Sequence, residues 1–393
     1  MTATPHSELD SRLTTLAKSA GEIEPDDDED VPPQARLGEN RGLFEDDDLV
    51  SVCRHHYFDT QVRGTTLSMA GLSAVATPPE HRRQGLIRRL LVESLAEYRD
   101  RGASISTLWP FSTPFYAQFG WATAFRAASQ TADPATFRIG ESADESVGRF
   151  YRADPDDWPA LDEVLTAHAH EYELAVDRTE SWWRNRAFHG WDSDPYVYVW
   201  ERNDDPSGYV VYSFVGDGDE RELRVRDMAF VDPSAHRALL GFLADHDSQV
   251  ARVQITGPTR EDVLDQVTDP SALSMSIEAG AMVRIVDVES ALEAISYPES
   301  VSGTVTIAID DPLADWNDAR FALSFDAGTV TVEQTDHSAD VDLGIGALSQ
   351  LFVGYRSLSD LEAATDAVVS DPAARDIVDV AFPESSVYLR EGF

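Results

Sequence analysis

Cysteine is almost absent. Cys53 stands alone in 393 residues, which excludes an intrachain disulfide and a zinc site built on cysteines. Lysine is as scarce, since Lys18 is the only one, and cations of every kind are outnumbered: 31 Lys and Arg face 71 Asp and Glu. The formal net charge is −40 and the isoelectric point is near 4.3. Outside Arg82 to Arg101 the arginines are scattered, so no basic face for a nucleic-acid backbone can be assembled. Such a surface repels itself in dilute buffer but is screened in molar salt, where the Debye length falls to about 3 Å, so a salt-adapted, halophilic protein is expected. Long apolar runs are missing too. No stretch approaches the roughly 18 residues of a membrane span, and the N-terminus lacks the basic and apolar regions of a leader, so the expectation is a cytoplasmic protein with no membrane partner.

What is present starts at Val75-Ala76-Thr77-Pro78-Pro79-Glu80-His81-Arg82-Arg83-Gln84-Gly85-Leu86. Leu67 to Val75 is apolar and rich in small residues, as a buried strand is. After the motif, Leu86, Ile87, Leu90, Leu91 and Leu95 fall at helical spacing. The motif is therefore a strand-to-helix turn. The first amides of a helix lack internal partners and lie at the positive end of its dipole, so an anion there gains hydrogen bonds and a favourable field. Gly85 allows a phosphate close to the backbone, and Arg82, Arg83 and Arg88 add charge for a pyrophosphate or a ribose 3′-phosphate. A second segment, Leu108-Trp109-Pro110-Phe111-Ser112-Thr113-Pro114-Phe115-Tyr116-Ala117-Gln118-Phe119-Gly120-Trp121, follows after room for one helix and one strand.

The chain is long enough for two or three domains. Residues 21–36 read as an acidic, solvated loop after a short helix over 7–17, and the 140–148 stretch reads as a linker. Three strands are expected between Gly42 and Val75, with Phe125 to Ile139 ending the first unit. The second unit alternates strands and helices, and Leu223 to Phe230 leads into a helix at Ser234 to Asp245 with no RRxG between them. The third opens on a strand near Met282, followed by a helix, alternating strands (Gly303–Ile309, Arg320–Phe325, Gly328–Glu333) and helices over 345–352 and 360–369. The fold class is thus α/β and α+β, with boundaries at 1–145, 146–282 and 283–393. Of the remaining polar clusters, His168 and His170 point apart on one helix and are expected at the surface. His55 and His56 face opposite ways on a strand, one out and one in. Trp182-Trp183 is expected to pack the second unit.

The Arg-Arg-x-Gly turn resembles the coenzyme A grip of GNAT N-acetyltransferases, and Phe111 to Trp121 resembles the Y-x-x-F-G segment of that fold. With a second, degenerate GNAT-like half and a sterol-carrier-protein-like third unit, the chain resembles the Eis (enhanced intracellular survival) family from about Leu37 to Phe393. That resemblance implies an acetyl-CoA-dependent N-acetyltransferase without a metal, a homo-oligomer acting on a small-molecule or peptide amine. Val75, Ala76 and Thr77 would bond the pantetheine arm. Arg83, Gln84, Gly85, Leu86, Ile87 and Arg88 would hold the pyrophosphate, and Phe111 and Ser112 would line the far side. Tyr116 would be the general acid and the α-carboxylate of Phe393 the general base. Relatives accept cationic amines such as aminoglycosides, which an acidic cavity would suit. By residue type alone, Tyr116 reads equally as one more core aromatic beside Phe115, Phe119 and Trp121. A non-catalytic protein that binds a lipid or partner in an apolar cavity of the third unit is the other reading.

Overall fold

The computed structural model describes residues 32–45, 48–139, 148–191, 193–261 and 263–393. The expected helix over 7–17, residues 21–31 of the acidic loop and most of the linker lie outside the described residues.

Strand β1 (Glu39–Glu45) pairs with the long β2 (Asp48–Val62), which turns at Arg63-Gly64 into β3 (Thr65–Ala76). Both turn residues have positive φ, 49° and 73°, the twist a two-residue hairpin needs. Helix α1 (Leu86–Asp100) buries Leu86, Leu90, Leu91, Leu95 and Tyr98 against the sheet, and stops at Arg101-Gly102, where the glycine takes φ 76°. Strand β4 (Ile105–Leu108) then runs parallel to β3, and α2 (Thr113–Ala117) and β5 (Ala122–Thr123) follow.

Strand β6 (Arg126–Ala132) leaves this sheet. Beyond it come β7 (Gly148–Arg152), α3 (Trp158–Ala169), β8 (Val176–Asp177) and α4 (Glu180–Trp182, continued by a π-helical turn over Trp183–Ala187). After them lie β9 (Tyr196–Arg202), β10 (Asp205–Val215), β11 (Glu222–Phe230), α5 (Pro233–Ala244), β12 (Arg252–Pro258), β13 (Ser274–Ala279) and β14 (Met282–Ile285). The two seven-stranded sheets trade strands. The first is ordered β1-β2-β3-β4-β14-β5, with β8 beside β2, and the second β13-β6-β12-β11-β10-β9-β7. Two expectations are corrected here. The Phe125–Ile139 strand belongs to the second sheet, between β12 and β13, and the Met282 strand closes the first, between β4 and β5. A short strand of this kind fits either sheet, and register across the chain, not local pattern, selects its place.

The third unit holds α6 (Val288–Ala294), β15 (Gly303–Asp310), β16 (Arg320–Asp326), β17 (Thr329–Gln334), β18 (Val341–Gly344), α7 (Ile345–Phe352), α8 (Leu358–Ala364), β19 (Val368–Val369) and α9 (Pro372–Ala381). Its sheet is ordered β17-β16-β15-β18-β19. The helix expected over 360–369 stops at Ala364, and the β-branched pair Val368-Val369 instead pairs with β18. This unit is not separate: its core is continuous with Met69, Ile105 and Val283 of the first sheet and with Phe125 between the two sheets' strands. Arg284 of β14 is fully buried and forks onto both carboxylate oxygens of Asp311 at 2.6 Å, tying the first sheet to the third unit.

The last residues, read as a strand-like run, make one parallel bridge, Glu173 with Val387, and then run extended to the first sheet. They are held by charge. Arg178 donates to Glu391 and Asp227, both at 2.7 Å. Arg390 reaches Asp227 and the Met228 carbonyl, and pairs with His168, which sits 2.9 Å from Glu261. His168 is therefore an interior group, not the surface one expected.

Candidate active site

Strand β3 bends where it nears α1. Its ladder with β2 is interrupted between Val52 and Arg54, so Ala74 and Val75 stand outside the register, and Ala74 adopts φ 49°. A bulge of this kind turns backbone polar groups away from the neighbouring strand and toward a ligand. Three residues on, the Arg82 Nε donates to the Thr77 carbonyl at 3.1 Å, folding the turn back on the strand end. Arg83 (φ 61°) and Gly85 (φ 77°) take left-handed conformations, and Gly85 is the N-cap of α1 with no side chain capping it. The helix thus presents its N-terminal amides uncapped. For Arg83 the left-handed backbone is a strain of about 1–2 kcal/mol, tolerated where the surroundings over-determine it.

These pieces open into one cavity of about 850 Å³. Of the residues singled out in the sequence, Val75, Ala76, Thr77, Arg83, Gly85, Leu86, Ile87, Arg88, Phe111, Tyr116 and Phe393 line it. Two stand back. Gln84 donates to the Glu80 carbonyl at 3.3 Å, and Ser112 is the N-cap of α2, its carbonyl accepting from the amides of Phe115 and Tyr116. Arg88 lines the wall while its Nη2 donates to the Pro312 carbonyl at 2.5 Å, an anchor in the third unit.

Tyr116 is 4% exposed and sits edge-on to Phe111, Phe115 and Trp121. Its phenol makes no hydrogen bond among the described residues. Burial, with the nearby Cys53 thiol a lesser contributor, pushes its pKa well above the ordinary phenol value, so it holds its proton throughout the physiological range. Phe393 reaches the opposite wall, its ring 5.2 Å from Phe58 and 5.0 Å from His56. Gly71 of β3 makes room for it: a Cβ there would meet the Phe393 ring at 2.8 Å and Phe58 at 2.9 Å. The approach is fixed from behind, where Trp109 Nε1 donates to the Glu391 carbonyl at 2.8 Å.

Sequence reasoning missed other residues of the wall, among them Gln34, Arg54, His56, Trp109, Arg186 and Trp191. His55 and His56 are corrected as well, for both are buried and burial holds both imidazoles neutral, with pKa values lowered to about 3. Trp182 packs edge-on to Phe58, beside Phe393, while Trp183 lies in the second unit's core as expected. Among the described residues the cavity wall is also not acidic. Arg54, Arg82, Arg83, Arg88 and Arg186 line it, and among the described residues no Asp or Glu does.

Residues 4–124 match an acetyltransferase (GNAT) domain family, residues 174–285 a second acetyltransferase (GNAT) domain family, and residues 288–390 the sterol carrier protein domain. A Streptomyces griseus protein described as an uncharacterized N-acetyltransferase is 29% identical over 369 residues, 88% of this chain and 87% of its own length. N-acetyltransferase Eis of Mycobacterium tuberculosis is 27% identical over 342 residues, 80% of this chain and 78% of its own. Among solved structures, a GCN5-related N-acetyltransferase from Anabaena variabilis superposes with a TM-score of 0.85 at 21% identity, covering 100% of this chain and 99% of that one. Eis1 from Mycobacterium abscessus does so at 0.79 and 23%, covering 100% and 99%; at such identities these two speak for the fold. On these matches the chain is a GNAT-type N-acetyltransferase with Eis-like relatives, its two GNAT domains followed by a sterol carrier protein domain.

Proposed function

We propose that the chain transfers an acetyl group from acetyl-CoA to an amine, with Tyr116 as general acid and the α-carboxylate of Phe393 as general base. One observation carries this: a single cavity brings the bulged edge of β3, the uncapped start of α1, a phenol locked in its protonated form and Phe393 to face one another. GNAT acetyltransferases use acetyl-CoA, whose thioester supplies the activated acyl group. The residues fit it. The amides at Gly85 to Arg88, with Arg82 and Arg83, suit the pyrophosphate. The freed groups of Ala74 and Val75 suit the amide-bearing pantetheine and would donate to the carbonyl oxygen as charge develops on it.

A free α-carboxyl ordinarily titrates near pH 3.3–3.7, and a carboxylate at Phe393 would accept the proton an attacking amine must shed. Tyr116 gives its proton to the departing sulfur, and holding both groups across one cavity supplies the orientation. The reading also places the enzyme in the cytoplasm of a salt-rich cell as a homo-oligomer, so assays belong in molar potassium chloride, with mass read by light scattering.

The test is thiol release from acetyl-CoA with a panel of amines. Tyr116→Phe should lower kcat about 10²-fold or more while acetyl-CoA still binds, as should removing Phe393 or extending the chain past it. Undiminished turnover in these variants would remove the assigned acid and base. The lipid-carrier alternative fares worse. The interior of the third unit, between Val305, Leu323, Phe325, Leu348 and Phe382, holds a void of about 10 Å³, room for about one water and none for a lipid.

A further inference from the structure

The arginines of the cavity form two groups. Arg82, Arg83 and Arg88 cluster at the start of α1. Arg54 lies on β2 and Arg186 on the π-helical turn, on the other side, where Phe58, Trp182, His56 and Phe393 pack together. That second pair faces the region where an amine must lie to reach the proposed base, away from the phosphates.

Arg186 has no carboxylate or carbonyl partner among the described residues. Its guanidinium lies over the Trp182 ring at 5.2 Å, and its Nε is buried without a hydrogen bond. In a chain with 71 acidic residues, a half-buried guanidinium left unpaired is unusual, and burial together with Arg54 lowers its pKa to about 10. The same two arginines help keep His56 neutral. An unsatisfied buried donor is destabilising, more so when charged, and an incoming anion relieves that cost. With no Asp or Glu side chain on the described wall, a polycationic acceptor would meet five arginines and, of opposite charge, only the proposed base at Phe393.

We infer that the acceptor is an amine carrying its own carboxylate, which pairs with Arg186 while the amino group points toward Tyr116 and Phe393. This rests on the transferase reading above and names its acceptor class. Arg186 acts as a specificity residue: its planar fork matches a carboxylate bidentately and its ring contact fixes its orientation.

The experiment compares ω-amino acids of three to six carbons with alkylamines of the same length, in wild type, Arg186→Gln and Arg186→Lys. The amino acids should show kcat/KM about tenfold or more above the matched amines. That ratio should fall toward one in Arg186→Gln and recover in part in Arg186→Lys. Acetyl-CoA affinity, measured in each variant, reports an intact fold. Wild-type turnover of plain amines equal to or better than that of amino acids would overturn the inference and leave the transferase standing. If no amine is turned over, calorimetry with the same amino acids decides separately. Binding that is lost in Arg186→Gln would uphold the carboxylate site while the transferase reading fails, and no binding would overturn both.

Discussion

The two GNAT halves differ most at the start of one helix. Both run a strand into a helix, β3 into α1 and β11 into α5, yet the first helix begins on an uncapped Gly85 at φ 77° and the second on Asp232. The Asp232 side chain accepts from the Ala235 amide at 2.9 Å and pairs with Arg202 at 2.5 Å. The second half therefore fills its helix start with its own carboxylate, whereas the first leaves its first amides uncapped. One helix start satisfies its own first amides and the other does not.

The largest expected effect concerns what distinguishes the first half, the Phe393 ring laid across its sheet. Gly71→Ala places a methyl group against Phe393 and should lower kcat about 10²-fold with acetyl-CoA affinity unchanged, since a small misplacement of a reacting group costs that much. Equal kcat would show that Phe393 does not need its seat. Converting the first half toward the second is the next step: Gly85→Asp brings a carboxylate to the open helix start and should weaken acetyl-CoA about tenfold or more, read by calorimetry. Unchanged affinity would break the comparison.

Acid should weigh more on the first half, where two buried imidazoles are held neutral, than on the second, where burial lowers His236 to about 4. His55 and His56 of the first sheet have folded pKa values near 3 against an ordinary imidazole value of 6.5, so between those limits the unfolded chain binds more protons. Their contribution is complete above about pH 6.5 and is lost as pH falls toward 3. His56→Asn should remove up to about 1.4 kcal/mol per pH unit from the stability slope in that window, measured by denaturant titration; an unchanged slope would mean that the ring is already protonated in the fold. The smallest effect belongs to the second half, where Asp232→Ala should cost about 1 kcal/mol of stability with kcat and acetyl-CoA affinity intact. A loss of acetyl-CoA affinity there would show that the second helix start also serves the ligand.

Much of this was legible in local pattern. The meander from Gly42, the helix after Gly85, the absence of a second RRxG and the third unit's strands all follow from spacing that depends on neighbours a few residues apart. The wall residues found in advance, Val75 to Thr77, Arg83, Gly85 to Arg88, Phe111 and Tyr116, belong to two contiguous motifs, with Phe393 apart from both. The residues missed share a different property. Arg54, His56 and Arg186 reach the cavity from β2 and from the π-helical turn, and nothing in their local sequence distinguishes them from other strand or helix positions. His168 read as a surface group because a His-x-His pair on a helix points its two rings apart, whereas its partners Glu261 and Arg390 lie 93 and 222 residues away.

The sequence by itself determined the phosphate-type turn, the order of the three units and the acidity of the surface, because each depends on residue type or short-range periodicity. Tertiary structure alone decided that β6 and β14 exchange sheets, that Phe393 packs over Gly71, and that arginines line the cavity of an acidic protein. These depend on which distant segments share a core and which charges are left unpaired after folding, and both are properties of the packed chain.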